Sequence, residues 1–344
     1  MTSSCCLTFY RPGRNLTRDF SLPSNVRYKH IRWFPGRAFS LLMRKGISLP
    51  LELFGLFRAD ILIFPNFIAW ASIIGKKRVS VVHDIAFEFY PEHVQVKNLE
   101  YLRSQLAKSL RRSDKIIAVS LATKRDLIAY YGVDSAKIEV IHNAVDRTIF
   151  RQSANVRTAD TCKKFGITGP YILFVGNVEP RKNLESLLRA YARSYEQHHA
   201  SLVIVGAKGW NDSGITRRLE EVSGLPIHQT NFVNDTELAA LYAGAIAFVF
   251  PSLYEGFGIP CLEAMASGCP VICSNTSSLP EVVGDAAITI NPNDIDDIAD
   301  AIVKVSSDEK LRKRLAAAGL KRAQKFSWEE SGRKLSRIID ELTE

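Results

Sequence analysis

Apolar residues in this chain come in short continuous runs separated by longer stretches of helical spacing. The runs include Asp60–Phe64 (DILIF), Val79–His83 (VSVVH), Lys115–Val119 (KIIAV), Ile138–Ile141, Tyr171–Val175 (YILFV), Leu202–Val205, 227–230, Ala245–Phe250 (AIAFVF), Val271–Cys273 and Ala287–Ile290. Runs this short, bounded by turn residues, predict buried parallel strands. Cys6–Tyr10 and Asn25–Ile31 read as two earlier strands, and 37–57 as one or two helices. Between the runs, helices are predicted over Gln95–Arg112, 183–196, 215–223, 235–243, 294–306, 308–324 and Trp328–Leu342. In the first of these, Leu99, Leu102, Leu106 and Leu110 form one stripe, and Ser120 is placed to cap the helix after KIIAV.

Strands alternating with helices imply doubly wound parallel sheets, and the alternation restarts after Asn143–Asp146 and the polar stretch 151–161. The α/β chain therefore divides into two Rossmann-like halves with a binding cleft between them. No repeat of solenoid length is present.

Composition narrows this picture without redirecting it. With 344 residues, 46% hydrophobic and 24% charged, the chain reads as a globular protein of one or two domains. The most apolar span, Ile61–Gly75, is too short to cross a bilayer and is interrupted by Pro65-Asn66; the opening residues hold no signal-peptide core. Cys261, Cys269 and Cys273 sit in an apolar unit and are expected to be reduced core residues, which fits a cytoplasmic protein. Charge is lopsided. Residues 1–150 carry 23 Lys/Arg against 12 Asp/Glu, and residues 151–344 carry 22 against 24. The basic half is expected to meet an anionic membrane surface or a phosphate-bearing lipid acceptor; no nucleic-acid motif accompanies the charge.

The strongest chemistry lies in Pro251–Cys273, PSLYEGFGIPCLEAMASGCPVIC. A strand ends at Phe250, a glycine-rich turn follows, and Pro260 marks the first turn of a short helix ended by Gly268. A helix N-terminus at the carboxyl end of a parallel strand favours phosphate, and Gly256 and Gly258 permit close backbone approach. Glu255 and Glu263 flank the site and would be repelled by a diphosphate, so neutral diols suit them better. Phosphate between two polyols describes a nucleotide sugar.

The Glu255/Glu263 pair and the wording GFGIPCLEAMASGCPV resemble the signature of retaining glycosyltransferases of family 4, which have the GT-B fold. A second string, Gly176-Asn177-Val178-Glu179-Pro180-Arg181-Lys182-Asn183, is similar to the family's GxxEPRKN element, whose basic pair meets the donor diphosphate. A third, His83-Asp84 at a strand end, resembles the family's His-Asp element, whose histidine faces the transferred sugar. Phe326-Ser327-Trp328 and its helix are similar to the family's terminal helix, which crosses back onto the first domain.

The resemblance implies two Rossmann-like domains, 1–148 on the acceptor side and 149–327 for the nucleotide sugar, with 328–344 rejoining the first. It implies His83, Glu255, Arg181 and Lys182 as catalytic residues, with Asp84 in support. Donor contacts would come from Gly176, Asn177, Gly256, Phe257, Gly258, Ile259 and Glu263, and from the main chain at Phe232-Val233 for the base. Glu255 would hold the donor sugar and Glu263 the ribose.

The implied reaction is retaining, metal-independent transfer of a sugar from a GDP- or UDP-sugar co-substrate, with no other cofactor, to a glycan or lipid-linked acceptor. VHDIAFEFYPEHV leans toward mannose. Asp294-Ile295-Asp296 is expected to be a helix cap and not a metal site. The setting would be surface-polysaccharide synthesis, cytoplasmic and peripheral to the membrane. In one respect the chain departs from the family pattern: nothing before Cys6–Tyr10 supplies the usual first strand, Gly-rich loop and long helix. A non-catalytic nucleotide-sugar binder or partner subunit is the rival this leaves, and a sugar-nucleotide epimerase of the same architecture is a third reading.

Overall fold

The computed structural model describes residues 4–10, 26–35, 41–42, 47, 49–54, 59–72, 76–94, 96–152, 155–207 and 213–344. Strands β1 (Ser4–Tyr10) and β2 (Val26–Pro35) pair in parallel as a two-stranded sheet. Most of the helical expectation over 37–57 lies outside the described residues; within it Leu51–Phe54 forms a single 3-10 turn.

A four-stranded parallel sheet follows, in order β3 (Ile61–Phe64), β4 (Lys77–Val82), β5 (Lys115–Ala118) and β6 (Ile138–Val140). It is interleaved with the short α1 (Ala86–Phe89), α2 (Val96–Arg112) and α3 (Leu121–Tyr131). The leucine stripe of α2 faces the sheet: Leu106 and Leu110 are buried with Val82, Ile116 and Ala118, while Leu99 and Leu102 pack at the edge. Ser120 caps α3 by accepting from Thr123 N at 2.9 Å.

The second sheet has six parallel strands. They are β7 (Tyr171–Val175), β8 (Ser201–Val205), β9 (Ile227–Thr230), β10 (Ala247–Phe250), β11 (Val271–Ser274) and β12 (Ile288–Ile290), ordered β12-β11-β10-β7-β8-β9. Around it lie α4 (Asn155–Lys164), α5 (Leu184–His198), α6 (Ser213–Glu221), α7 (Asp235–Gly244), α8 (Ile259–Ala266), α9 (Leu279–Val283), α10 (Ile295–Ser307) and α11 (Glu309–Ala323). Every residue of β7, β8, β10 and β11 is buried. Helices cover both faces of such strands, which is why they read as unbroken apolar runs. The polar stretch 151–161, between the two halves, enters a helix at Asn155, whose Cys162 packs on the sheet's core.

The last helix, α12 (Trp328–Thr343), returns to the first sheet. Ile338 is buried against Val79, Ile117 and Ile141, and Ser331 Oγ donates to His142 O at 2.7 Å. A strongly amphipathic helix needs an apolar face to cover, and the exposed side of β4 and β5 supplies one.

Candidate active site

Strands β7 and β10 are neighbours, yet the chain runs outward from them in opposite directions, through β8 and β9 one way and β11 and β12 the other. Their carboxyl ends therefore border the crevice where loops diverge, the usual ligand position in an open α/β sheet. Both sequence motifs of the second half emerge there.

After β7, Gly176 adopts φ +155°, and the Lys182 stem passes 3.7 Å from where its Cβ would stand. After β8, Gly206 sits at φ +157°, and a Cβ there would fall 1.9 Å from Gly176 O. Only glycine allows the two turns to nest. Pro180–Lys182 form a 3-10 turn, closed by Asn183 in left-handed conformation at φ 57°. The Asn183 amide donates to Pro251 O at 3.1 Å and Pro292 O at 2.7 Å. The basic pair is thereby fixed to the ends of β10 and β12.

After β10, Glu255 is buried and turned onto that basic pair. Its Oε1 lies 2.6 Å from Lys182 Nζ and 3.1 Å from Arg181, and accepts from Ser252 Oγ at 2.6 Å. Burial works to raise the Glu255 pKa, but Lys182 and Arg181 outweigh it and hold the carboxyl below its ordinary value. Burial likewise opposes the charge on Arg181, while Glu255 and Asp84 raise its pKa. Arg181 also donates to Tyr254 O at 2.6 Å, and Lys182 Nζ stands 5.1 Å from the centre of the Phe250 ring. Three charged groups share a nearly dry pocket with their charges aligned against one another, an arrangement that is costly to break one member at a time.

Gly258 at φ +101° turns the chain into α8, and a Cβ there would meet Leu279 at 2.5 Å. Glu263, one turn along α8, accepts from the Tyr242 hydroxyl at 3.3 Å. Burial lifts its pKa to about 7, Tyr242 lowers it somewhat and Asp235 raises it.

The first sheet closes the pocket from the other side. A Cβ on Gly256 would fall 1.8 Å from His83 O, so the glycine turn lies directly against the end of β4. His83 Nε2 is 2.9 Å from Pro65 O, and its ring meets Phe67 edge-on at 5.7 Å. Asp84 accepts from Ala86 N at 2.9 Å and so stiffens the turn into α1.

The structure thus brings together His83, Asp84, Gly176, Arg181, Lys182, Glu255, Gly256 and Gly258. Asn177 lies in the same turn as Gly176, its carbonyl accepting from Glu179 N at 2.8 Å. Ile259 is partly exposed at the start of α8. Phe257 is different: its ring is buried between His142 (5.9 Å) and Phe326 (5.6 Å), leaving only main chain for a ligand. Val233 is buried too, whereas Phe232 is 86% exposed. Asp294 accepts from Asp296 N and Asp297 N as the cap of α10, the role expected for that motif.

Sequence reading passed over the groups that join the two halves. Tyr254 Oη donates to Asp126 at 2.7 Å, Thr123 Oγ1 to Gly256 O at 3.3 Å, and Glu281 accepts from Leu121 N and Ala122 N. These pairs stand more than a hundred residues apart, so no local pattern announces them. Gly206 had a fainter signal, a glycine ending an apolar run as Gly176 does.

Comparison with known proteins agrees with this geometry. Residues 7–148 match the family described as Glycosyltransferase Family 4, and residues 161–322 match Glycosyl transferases group 1. The chain belongs to the family 4 glycosyltransferases. It is 34% identical over 258 residues to the O-antigen chain mannosyltransferase B of Escherichia coli, spanning 74% of this chain and 68% of that one. It is 35% identical to the serotype-specific mannosyltransferase WbdA of Escherichia coli over 67% of this chain but only 29% of that one. Among solved structures, the sucrose-phosphate synthase of Thermosynechococcus elongatus aligns with TM-score 0.74 at 21% identity, covering 98% of this chain and 88% of that one. The lipopolysaccharide glycosyltransferase WaaG aligns with TM-score 0.72 at 17% identity, covering 98% and 99%. The fold of this glycosyltransferase is therefore GT-B, two parallel-sheet α/β units facing a cleft. No helix among the described residues is long and apolar enough to cross a membrane.

Proposed function

We propose that this glycosyltransferase moves mannose from a nucleoside-diphosphate sugar to a glycan or lipid-linked acceptor during surface-polysaccharide synthesis, with retention of anomeric configuration and without a metal. The observation that carries the reading is the convergence of Arg181, Lys182 and Glu255 beside the start of α8, facing His83.

The chemistry follows from charge. As the anomeric C–O bond breaks, negative charge grows on the departing diphosphate and positive charge on the sugar ring. Arg181 and Lys182, with the positive end of the α8 dipole, would stabilise the first, the task a divalent cation would otherwise perform. Before donor arrives Lys182 is paired with Glu255. A diphosphate is the stronger partner for the ammonium, so its entry frees the carboxylate to accept from hydroxyls of the donor sugar. Glu263 would accept from the ribose diol. His83, whose carbonyl lies against Gly256, would face the transferred sugar from the first half.

The mannosyl assignment draws on the relatives, two of them O-antigen chain mannosyltransferases and one a serotype-specific mannosyltransferase. HepE of Anabaena, TM-score 0.72 at 18% identity over 92% of this chain and 86% of that one, is solved with UDP and glucose, which favours a uridine nucleotide and leaves GDP as the other co-substrate to test. The formal charge of +9, concentrated in the first half, supports work at the inner face of a membrane.

Calorimetric titration with GDP and UDP, with and without magnesium, tests the reading. The expected result is micromolar binding of one nucleotide, indifferent to magnesium and weakened at least tenfold by Lys182→Ala. A folded chain that binds neither nucleotide would overturn it.

A further inference from the structure

Beside the donor pocket a line of aromatic rings runs outward over the first half. Tyr254, the residue before Glu255, is buried and anchored through its hydroxyl to Asp126. Phe89 stacks on it at 5.2 Å and 25°, and Tyr90 lies at 6.4 Å. Tyr130 meets Phe89 at 6.2 Å, and Tyr131 meets Tyr130 at 5.3 Å. Tyr254 is core, and Tyr90 and Tyr131 are half-buried. The other two are exposed, Phe89 at 46% and Tyr130 at 51%.

Exposed rings that only filled space would sit on adaptable surroundings. These rest on a fixed polar base. Glu88, a buried carboxylate, accepts from the Tyr131 hydroxyl and from Arg103 Nε at 2.7 Å. The Arg103 side chain is itself 44% exposed, so its planar guanidinium stands at the surface near the rings. The line also continues toward the reaction. Tyr90 and Phe87 line a cavity of about 40 Å³ with Arg181 and Glu179, between the loop around α1 and the turn that carries Arg181.

We propose that Phe89 and Tyr130, with Arg103, form a platform for the acceptor glycan, holding pyranose rings that trail behind the sugar being extended. This rests on the glycosyltransferase reading of the cleft given above. A pyranose offers a flat C–H face and a rim of hydroxyls. Half-exposed rings match the first and a planar, fixed donor matches the second. Exposed aromatic clusters next to a polar groove mark binding surfaces. The occupant is a glycan because the track starts beside Glu255 and is built from rings instead of a further cluster of phosphate-binding cations.

The test is titration with oligomannosides of one to four residues in the presence of saturating nucleotide, on the wild type and on Phe89→Ala, Tyr130→Ala and Phe89→Trp. Wild-type affinity is expected to rise with oligomannoside length. The two alanine variants should lose that gain by about fivefold or more on the longest, with nucleotide affinity unchanged, and Phe89→Trp should restore it. Wild-type affinity independent of length, alanine variants that bind like wild type, or no oligomannoside binding by a chain that binds nucleotide would each overturn the platform. Loss of nucleotide binding in Tyr130→Ala would overturn it too, by showing that the rings only hold the fold. Failure of the wild type to bind nucleotide would strike instead the reading on which the platform rests.

Discussion

His142 Nε2 lies 2.7 Å from Glu281 Oε1, joining the end of the first half to helix α9 of the second. The same carboxylate accepts from Leu121 N and Ala122 N, so it occupies the positive end of α3 across the domain boundary. Burial tends to raise the Glu281 pKa, and His142 with the two N–H groups overcomes it, leaving the carboxyl below its ordinary value.

Glu281→Gln should therefore loosen the closed arrangement. Removing a charged partner from such a set costs about 1.5–3 kcal/mol. The melting temperature should fall, and small-angle scattering should show a more open chain in the absence of nucleotide. Because the folded pKa is depressed, the wild-type contribution is present above the unfolded carboxylate value and is lost as pH falls through the folded one. The gap in melting temperature between wild type and variant should narrow on acidification below about pH 4. A constant gap would show that the charge is not what holds the halves.

Two glycines should answer differently to alanine. Gly206→Ala places a methyl 1.9 Å from Gly176 O inside one sheet's loops, with no route of relief. It should cost on the order of 3 kcal/mol of stability and disorder the Lys182 turn. Gly256→Ala makes its clash with His83 O, across the cleft, and opening relieves it. Transfer activity should drop a hundredfold or more, while the melting temperature should fall less than for Gly206→Ala, since opening gives up only the contacts between the halves. Equal thermal losses would mean that the cleft is a rigid seam.

With its pKa raised to about 7 by burial, Glu263 in the proposed ribose-binding role should make donor binding sensitive to pH near neutrality. A ribose diol donates its hydrogens to the ionised carboxylate, so nucleotide affinity should rise between pH 6 and pH 8. Stability should move the other way: a carboxyl whose folded pKa is raised stabilises the fold while protonated, and that share is lost as pH climbs through 7. Glu263→Gln should flatten both profiles, and Tyr242→Phe should move the midpoint upward. Calorimetry and thermal melts over this range provide the check.

Ile338 packs the terminal helix onto β4 and β5, with Val79, Ile117 and Ile141. Ile338→Ala should cost about 2–4 kcal/mol. Because α12 also ties to His142 through Ser331, hydrogen exchange should quicken across β5 and β6 and leave β7–β10 unchanged.

Much of this architecture was written locally. Short apolar runs bounded by turn residues, such as YILFV and the AFVF of AIAFVF, suit strands covered on both faces, and the glycine turns after them suit loops at the sheet's edge. Glu255, Arg181 and Lys182 lie in the turns that follow their strands, and Glu263 one turn into the next helix, so their places at the sheet's edge could be read locally. What the sequence could not express was pairing between distant segments. That Glu255 spends its charge on Lys182, that Gly256 must lack a side chain because of His83, and that Phe257 is core all depend on neighbours brought in by the fold. So do Glu281 on the end of α3 and Phe89 on Tyr254. Local periodicity determines which face of an element is buried, but contacts between faces are set by sheet order and domain closure, and those belong to the tertiary structure alone.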